Sequence, residues 1–236
     1  MGSAGSLPDT SKDVFEAIHS LRGTRKYEDR AIPAEHLDRI LRAATMAASS
    51  GNTQPWEFVL LRDPESKRTI KSWVQKSFAE LDQNDRAETP EQLVDGAGRP
   101  VTGHASIEAI DVVPVIVVVF WNPDRGIRLK NQYAENQDGT LRPIGGDRDS
   151  RGASLYPACQ NMMLAAWALG VSSLFSTSFR LCEPEIKRLL NVPPRMFLEA
   201  AIFLGYSAEK LGHPRRRPLS EVVHVDVWDD YYQPQD

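Results

Sequence analysis

The chain has 236 residues, 41% of them hydrophobic, a size that predicts one larger compact domain or two small ones. Its net charge of -4 gives no electrostatic case for nucleic acid or for an acidic membrane surface. The two cysteines, Cys159 and Cys182, are typical of a reducing, cytoplasmic compartment. The longest apolar run, "VVPVIVVVFW" at 112–121, is too short to span a bilayer as a helix.

The first third of the chain predicts helices around one strand and a polar loop. Residues 1–12 are expected to be a flexible leader, and Thr10 or Ser11 can cap the first helix. The polar loop, "SSGNTQPW" at 49–56, separates the second helix from the strand. The elements predicted by apolar spacing are helices over 11–22, from Pro33 and over 64–80, and a strand over 57–63.

Two long polar excursions are predicted in the middle of the chain, at about 82–108 and 122–150. Insertions of this length are often lids or binding loops, so we expect both to lie at the surface. Between them runs "VVPVIVVVF" at 112–120, which is apolar without alternation. That pattern predicts a strand buried on both faces.

The last third predicts the remaining elements of one α+β domain over 13–236. Gly170 is expected to end a strong helix, "LYPACQNMMLAAWALG". The tail at about 207–236 has no core of its own, so we expect a C-terminal arm that lies across another subunit. The other predicted elements are a strand "SSLFSTSF", a short helix "EPEIKRLLNV" and a strand "FLEAAIFLGY".

The sequence lacks the usual motifs for chemistry by the protein itself. It has no phosphate-binding P-loop and no GxSxG elbow, and the glycines of "GAGRPVTG" at 96–103 have the wrong spacing for a dinucleotide site. The five histidines are scattered without ligand spacing, so no metal site is predicted. An enzyme with this sequence would therefore need a bound cofactor.

Three polar segments together predict a nucleotide-like ligand. They are "LRGTRKY" with Arg22 and Arg25, the loop "SSGNTQPW", and "RRRPL" at 215–219. Each alone has a plain structural reading: a solvated helix end, a capping turn and a solvated basic run. Together, arginines suit a phosphate, and Ser, Asn and Gln beside exposed backbone amides suit the edge of a heterocycle.

The sequence here resembles the flavin-dependent nitroreductases. The resemblance covers about residues 14–225 and is most specific in "AASSGNTQPWEFVLL" and "ACQNMMLAAWALGVSS". The opening "IHSLRGTRKYEDRAIP", and "FLGY" followed by "RRRPLSEVV", are similar to the start and end of that family. Three departures occur: Leu21 stands where many members have arginine, Gly23 stands where many have serine, and "FSTS" lacks the arginine that some subfamilies have there. Phosphate binding would then depend more on Arg22 and the tail.

The resemblance implies a three-layer α/β/α fold with a central, mostly antiparallel sheet, in an intertwined homodimer. It implies FMN at the dimer interface, with residues from both chains. NADH or NADPH would deliver a hydride to flavin N5, and a small-molecule oxidant would then take its place. No protein residue is assigned as catalytic, because this chemistry takes place on the cofactor.

The resemblance also implies which residues bind the cofactor. Arg22 and one or two tail arginines would contact the phosphate, and Arg25 would reach the pyrimidine edge of the ring. The second subunit would donate the polar loop, and the segment after the central helix would lie along the isoalloxazine. The residues are Arg22, Gly23, Thr24 and Arg25; Ser49, Ser50, Asn52 and Gln54; Phe175, Ser176 and Thr177; and Arg215, Arg216 and Arg217.

The leading hypothesis is an FMN-dependent NAD(P)H oxidoreductase that reduces nitroaromatics, quinones or similar electron-poor compounds. A specialised desaturase, dehalogenase or flavin-fragmenting enzyme, and a flavin carrier without activity, stay open as alternatives. A nucleic-acid module that uses "PRRRP" is disfavoured, because the run is short and the net charge is negative. The sequence fixes neither the nicotinamide preference nor the physiological oxidant.

Overall fold

A four-stranded antiparallel sheet, in the order β1-β2-β6-β5, forms the centre of the protein. The structure is a computed structural model that describes residues 12–85, 104–125, 133–143, 151–212, 214 and 216–234. The strands are β1 Trp56–Leu61, β2 Val115–Trp121, β3 Tyr133–Glu135, β4 Leu141–Pro143, β5 Ser172–Ser176 and β6 Phe197–Gly205. The helices are α1 Val14–Ser20, α2 Ala34–Thr45, α3 Pro64–Asp85, α4 His104–Glu108, α5 Arg151–Ala168, α6 Glu183–Leu189 and α7 Leu219–Val222.

Strand β2 is buried along its whole length and separates two hydrophobic cores. Val117 and Val119 face one core, which includes residues of α2 and α5. Ile116, Val118 and Phe120 face the other, which includes residues of α3 and α6. Because successive side chains point to opposite faces, a strand between two helical layers has to be apolar throughout. The predicted three-layer α/β/α fold with an antiparallel sheet is therefore confirmed.

Several element boundaries differ from the predictions; the predicted strand or strand-loop "SSLFSTSF", for example, ends as β5 at Ser176. The cap of α1 is Asp13, whose carboxylate accepts a hydrogen bond from the Glu16 N–H at 2.8 Å; the expected caps Thr10 and Ser11 lie outside the described residues. Helix α3 continues to Asp85, and α5 begins at Arg151, four residues before the predicted start. The end of α5 is as predicted, with Gly170 at φ 75°.

Both predicted excursions contain regular structure, contrary to their irregular appearance in the sequence. The first includes the end of α3 and all of α4, and the second includes a hairpin in which β3 pairs with β4. Residues 86–103, 126–132 and 144–150 lie outside the described residues. The role of the excursions as lids or binding loops stays a prediction.

The arm beyond Tyr206 contributes no residue to either hydrophobic core in the described part of the chain. After α7, the chain folds back on itself, with a hydrogen bond of 2.9 Å from Tyr232 N–H to the Val223 carbonyl. The rings of His224 and Trp228 stack at 4.2 Å, yet Trp228 is 80% exposed. Across the described residues, no helix is long and apolar enough to cross a membrane.

Candidate functional site

The opening motif, "LRGTRKY", lies along the edge of the sheet, with some of its residues buried and others exposed to solvent. Thr24 N–H donates to the Ser173 carbonyl at 2.9 Å, and Gly23 forms a parallel bridge with Ser173 beside β5. The Thr24 side chain is fully buried, whereas Gly23 and Arg25 face solvent. The motif therefore offers Gly23 and the Arg25 side chain to a ligand, while Thr24 holds the segment in place.

Arg22 is joined to the C-terminal arm. Its Nη1 donates to the Gly212 carbonyl at 3.0 Å, a contact between residues 190 positions apart. Arg216 and Arg217 follow within five residues and are exposed. Arg217 lies 3.5 Å from the Glu221 carboxylate, which offsets part of its charge, and Arg215 lies outside the described residues. The opening motif is thus joined to the arm three residues before the predicted arginine segment begins.

Arg25 is the cation of this motif that faces solvent without a carboxylate partner in the described part of the chain. It lies near the buried Tyr27, whose hydroxyl donates to the Thr24 carbonyl at 2.7 Å. Burial raises the pKa of Tyr27, and the positive charge of Arg25 opposes that shift. Because Tyr27 stays neutral at physiological pH, Arg25 keeps its charge available for an anionic group.

In the segment after α5, buried residues alternate with residues that are more exposed to solvent. Phe175 is half-buried at the edge of the core shared by α2 and α5, and Thr177 is exposed. Ser176 is buried, and its hydroxyl lies 2.8 Å from that of Ser178. A ligand along this edge would meet Phe175 and Thr177, and Ser176 would shape the turn between them.

The polar loop is a 3-10 turn over Ser50–Asn52 whose amides are mostly used internally. Asn52 and Thr53 N–H groups donate to the Ser49 and Ser50 carbonyls, and Gln54 N–H donates to the Ser49 hydroxyl at 3.0 Å. The expectation of exposed backbone amides is therefore wrong for these three groups. What the loop exposes is the side chains of Ser50, Asn52 and Gln54.

The loop's backbone is held in an unusual conformation. The backbone φ angles of Gly51, Asn52 and Gln54 are 58°, 53° and 49°. Residues other than glycine seldom adopt such positive values. The Asn52 Oδ1 accepts a hydrogen bond from Gln54 Nε2 at 3.3 Å, so the two amide side chains lie together. The strain therefore presents a pair of amides on one side of the loop.

Helix α5 is the element between the loop and the strand edge. Its Ser154 hydroxyl accepts from the Ser50 N–H at 3.3 Å, and its Asn161 side chain donates to the Ala43 carbonyl at the end of α2. Two residues after Ser154, the Tyr156 ring meets Phe175 edge to face. Among the described residues, no hydrogen bond or ion pair joins the loop directly to Arg22, Arg25 or Thr177.

Sequence reasoning missed the residues that position this arrangement. Ser154 and Tyr156 precede the apolar part of α5, and Gly212 lies in the arm without a distinguishing motif. The only signal was the four-residue spacing of Gly152 and Tyr156, which places both on one helix face.

The protein offers little reactive chemistry of its own. Burial raises the pKa of the Cys159 thiol to about 12 and also raises that of Cys182, so neither is an effective nucleophile at neutral pH. Within the described ranges, no three His, Cys, Asp or Glu side chains are grouped as metal ligands. The arrangement can bind and orient a ligand that carries its own reactivity.

The chain matches the family model described as Nitroreductase family over residues 18–206. It is 27% identical over 220 residues to a Methanothermobacter thermautotrophicus protein that bears the provisional name NADH dehydrogenase/NAD(P)H nitroreductase; the match covers 92% of this chain and 88% of that protein. It is 22% identical over 215 residues to human iodotyrosine deiodinase 1, over 90% of this chain and 68% of that one.

The fold is also similar to that of a solved structure, the NADPH:FMN oxidoreductase of Vibrio harveyi in complex with NAD+. The TM-score is 0.66 at 18% sequence identity, and the match covers 95% of this chain and 80% of the other. At this identity the similarity establishes the fold alone.

Proposed function

The chain belongs to the nitroreductase family, and from this membership we propose that it is an FMN-dependent NAD(P)H oxidoreductase acting on electron-poor small molecules. The observation that carries the proposal is the hydrogen bond from Arg22 to the Gly212 carbonyl, which joins the opening motif to the arm that carries the tail arginines. Arginines contributed by both segments would suit a phosphate dianion.

The donor set fits FMN on chemical grounds. The phosphate would be held by Arg22 and by Arg216, and the exposed cation of Arg25 suits the polar edge of the flavin ring. Asn52 and Gln54 side chains can donate to and accept from carbonyl and imide groups. The relative from Vibrio harveyi is named for both NADPH and FMN, which supports this cofactor and reductant without fixing either.

When bound, FMN would supply the redox chemistry, by accepting hydride at N5 from NADH or NADPH and returning it to an oxidant such as a nitroaromatic or a quinone. The protein would bind and orient. Arg22 and the tail would fix the phosphate end, and Phe175 and Thr177 would line the ring. No side chain would need to hold or move a proton at a fixed atom.

We propose a homodimer in which the polar loop of one chain serves the site of the other. In the described part of one chain, α5 stands between the loop, which contacts Ser154, and Phe175, which contacts Tyr156, and this supports a division of the site between two chains. A reducing, cytoplasmic setting is part of the proposal and is supported by the two buried free cysteines.

The first test is to release the cofactor by heat and identify it by chromatography, then to titrate the purified protein anaerobically with NADH and with NADPH. We expect FMN, and bleaching of its visible absorbance by at least one nicotinamide. FAD, or no flavin after reconstitution, would count against the proposal. FMN that neither nicotinamide bleaches would favour a carrier without activity.

A second candidate, reductive dehalogenation, is favoured by the matches to iodotyrosine deiodinases, which cover 90% of this chain. Such a reaction breaks a carbon–halogen bond, consumes two electrons and a proton, and releases halide. Comparing halide release from diiodotyrosine with reduction of a nitroaromatic and a quinone would separate the candidates. A kcat/KM at least tenfold higher for diiodotyrosine would replace the leading proposal.

A further inference from the structure

Tyr156 and Phe175 form an aromatic pair beside the proposed ring site. Their ring centroids lie 5.5 Å apart with an interplanar angle of 87°, the edge-to-face geometry that aromatic pairs prefer. Tyr156 is 39% exposed and belongs to neither core cluster, whereas Phe175 packs at the edge of one. The Phe175 ring is therefore the core-linked group that the exposed Tyr156 contacts.

Gly152 leaves the space in which the Tyr156 ring lies. A Cβ placed on Gly152 would be 2.7, 3.0 and 3.1 Å from three atoms of that ring; the first distance is shorter than real Cβ contacts, so the ring would have to move. Glycine is a poor helix former, and Gly152 lies in the first turn of α5, where alanine would favour the helix more. Gly152 thus stabilises the helix less than alanine would, and it leaves the space that the Tyr156 ring occupies.

The same turn of α5 also supports the polar loop, through the Ser154 hydroxyl and the Ser50 N–H. One short stretch of helix therefore contacts both the loop, which would serve the partner's site, and the aromatic pair of this chain's own site. We infer that Tyr156 is a positioning residue for the flavin face, which fixes the Phe175 ring beside the cofactor, and that Gly152 sets the clearance for it. This inference rests on the proposed function.

The test uses Tyr156→Phe, Tyr156→Leu, Gly152→Ala and the double variant Gly152→Ala/Tyr156→Leu. The readouts are the Kd for FMN by fluorescence quenching and the visible circular dichroism of bound FMN, which reports the surroundings of the ring. An edge-to-face pair corresponds to roughly 2- to 12-fold in a binding constant. We expect Tyr156→Leu and Gly152→Ala each to raise Kd by about that factor and to alter the dichroism, and Tyr156→Phe, which keeps the ring beside Phe175, to raise Kd less than Tyr156→Leu does.

The double variant tests whether Gly152 matters because it leaves space for the Tyr156 ring. Once Tyr156 is leucine, Gly152→Ala has no ring to displace, so the double variant should be no worse than Tyr156→Leu alone. Ala153→Gly is the matched control, because it loosens the same turn at an exposed position. If helix stability alone mattered, Ala153→Gly would weaken FMN binding and Gly152→Ala would strengthen it, and that result would overturn the inference.

The link to Phe175 is tested by a double-mutant cycle with Phe175→Leu. Coupling between Tyr156→Leu and Phe175→Leu in the Kd and in the dichroism supports the inference, and additive effects contradict it. If the wild-type protein binds no flavin, the proposed function fails. The same double-mutant cycles, measured by thermal unfolding, then test the packing alone. If the effects of Gly152→Ala and Tyr156→Leu on stability are additive, Gly152 does not act by leaving space for the Tyr156 ring.

Discussion

Arg22 and Arg25 lie three residues apart but are held in different ways, and this difference assigns them different roles. Arg22 is half-buried and fixed by the Gly212 carbonyl, which leaves the rest of its guanidinium fork in a set direction. Arg25 is exposed, and its positive charge acts to lower the pKa of the neighbouring Tyr27. A fixed fork suits a phosphate, and an exposed cation suits a site where negative charge develops only during reaction.

We expect Arg22→Ala to weaken FMN binding by about 10- to 150-fold, because a charge-assisted hydrogen bond contributes roughly 1.5–3 kcal/mol. The FMN affinity of Arg22→Lys should lie between those of the wild type and Arg22→Ala, because lysine keeps the positive charge but not the planar guanidinium group. Arg217→Ala should have a small effect, because the Glu221 carboxylate, 3.5 Å away, already offsets part of the Arg217 charge. FMN titration by fluorescence quenching measures all three, with Arg42→Ala on the exposed face of α2 as the control. Wild-type affinity in both Arg22 variants would remove the phosphate site from Arg22.

Arg25→Ala should make the midpoint potential of bound FMN more negative. Its positive charge would stabilise the electron-rich state of the ring more than the oxidised state, so its loss disfavours reduction. A differential contact of roughly 1.5–3 kcal/mol corresponds to a shift on the order of 30–60 mV for a two-electron couple. A dye-coupled redox titration measures the potential, with Lys26→Ala as the neighbouring control. An unchanged midpoint potential would contradict a contact between Arg25 and the ring, and it would favour the interpretation of Arg25 as part of a solvated helix end.

At the scale of elements, the sequence predicts what is repeated along a segment and misses what depends on a single distant contact. Strand β2 was predictable because every residue is apolar, and a strand between two helical layers requires that. The first turn of α5 was not, because Arg151, Gly152 and Ser154 show no apolar spacing. The partners of Arg151 and Ser154 lie on β6 and in the polar loop, and no local pattern encodes those contacts.

The predicted site shows the same division. The loop and the arginine segments were recognisable from residue type, but the convergence of Arg22 with Gly212 spans 190 positions. The use of the loop's amides was also missed, because internal hydrogen bonds depend on the φ values of Gly51, Asn52 and Gln54 rather than on composition.

Glu199 is a buried carboxylate in an otherwise apolar strand, and its position has a physical reason. Val119 pairs with Ala200 and Phe120 with Leu198, so Glu199 is the extra residue of a β-bulge. It is 2% exposed and lies 3.1 Å from Arg151 Nε. The ion pair therefore holds the first turn of α5 on the sheet.

Removing one partner of this pair should cost more than removing both. We expect Glu199→Gln to lower the free energy of unfolding by roughly 3–5 kcal/mol, because it removes the buried carboxylate that lies beside the largely buried Arg151 guanidinium. Arg151→Met/Glu199→Leu should be close to neutral. Urea denaturation measures both, and Arg188→Ala, which breaks an exposed pair with Glu185, should change stability by less than about 1 kcal/mol. Equal losses in the single and double variants would show that the pair is not held as a unit.

At the scale of the whole molecule, the apolar surface that one chain leaves uncovered is concentrated at its two ends. Phe15 on α1 is 69% exposed, and Val14 and Ile18 beside it are also exposed. In the arm, Val227 and Trp228 are exposed although the arm is folded on itself. Contiguous exposed apolar surface of this kind marks an interface. A second copy of the chain would cover both ends, and its polar loop would complete the FMN site.

The proposed division of the site between two chains makes a prediction that a single-chain site cannot reproduce. Arg22→Ala and Asn52→Ala/Gln54→Ala homodimers should each bind FMN weakly, since every site carries one defect. In a mixed dimer with a shared site, one site collects both defects and the other receives Arg22 and the loop intact. Co-expression with two affinity tags isolates the mixed dimer. We expect one FMN per mixed dimer to bind with wild-type affinity, at a concentration where both parent homodimers stay empty. No recovery in the mixed dimer would place loop and arginine in the same chain's site, and a stable monomer with full flavin occupancy in light scattering would rule out the dimer itself.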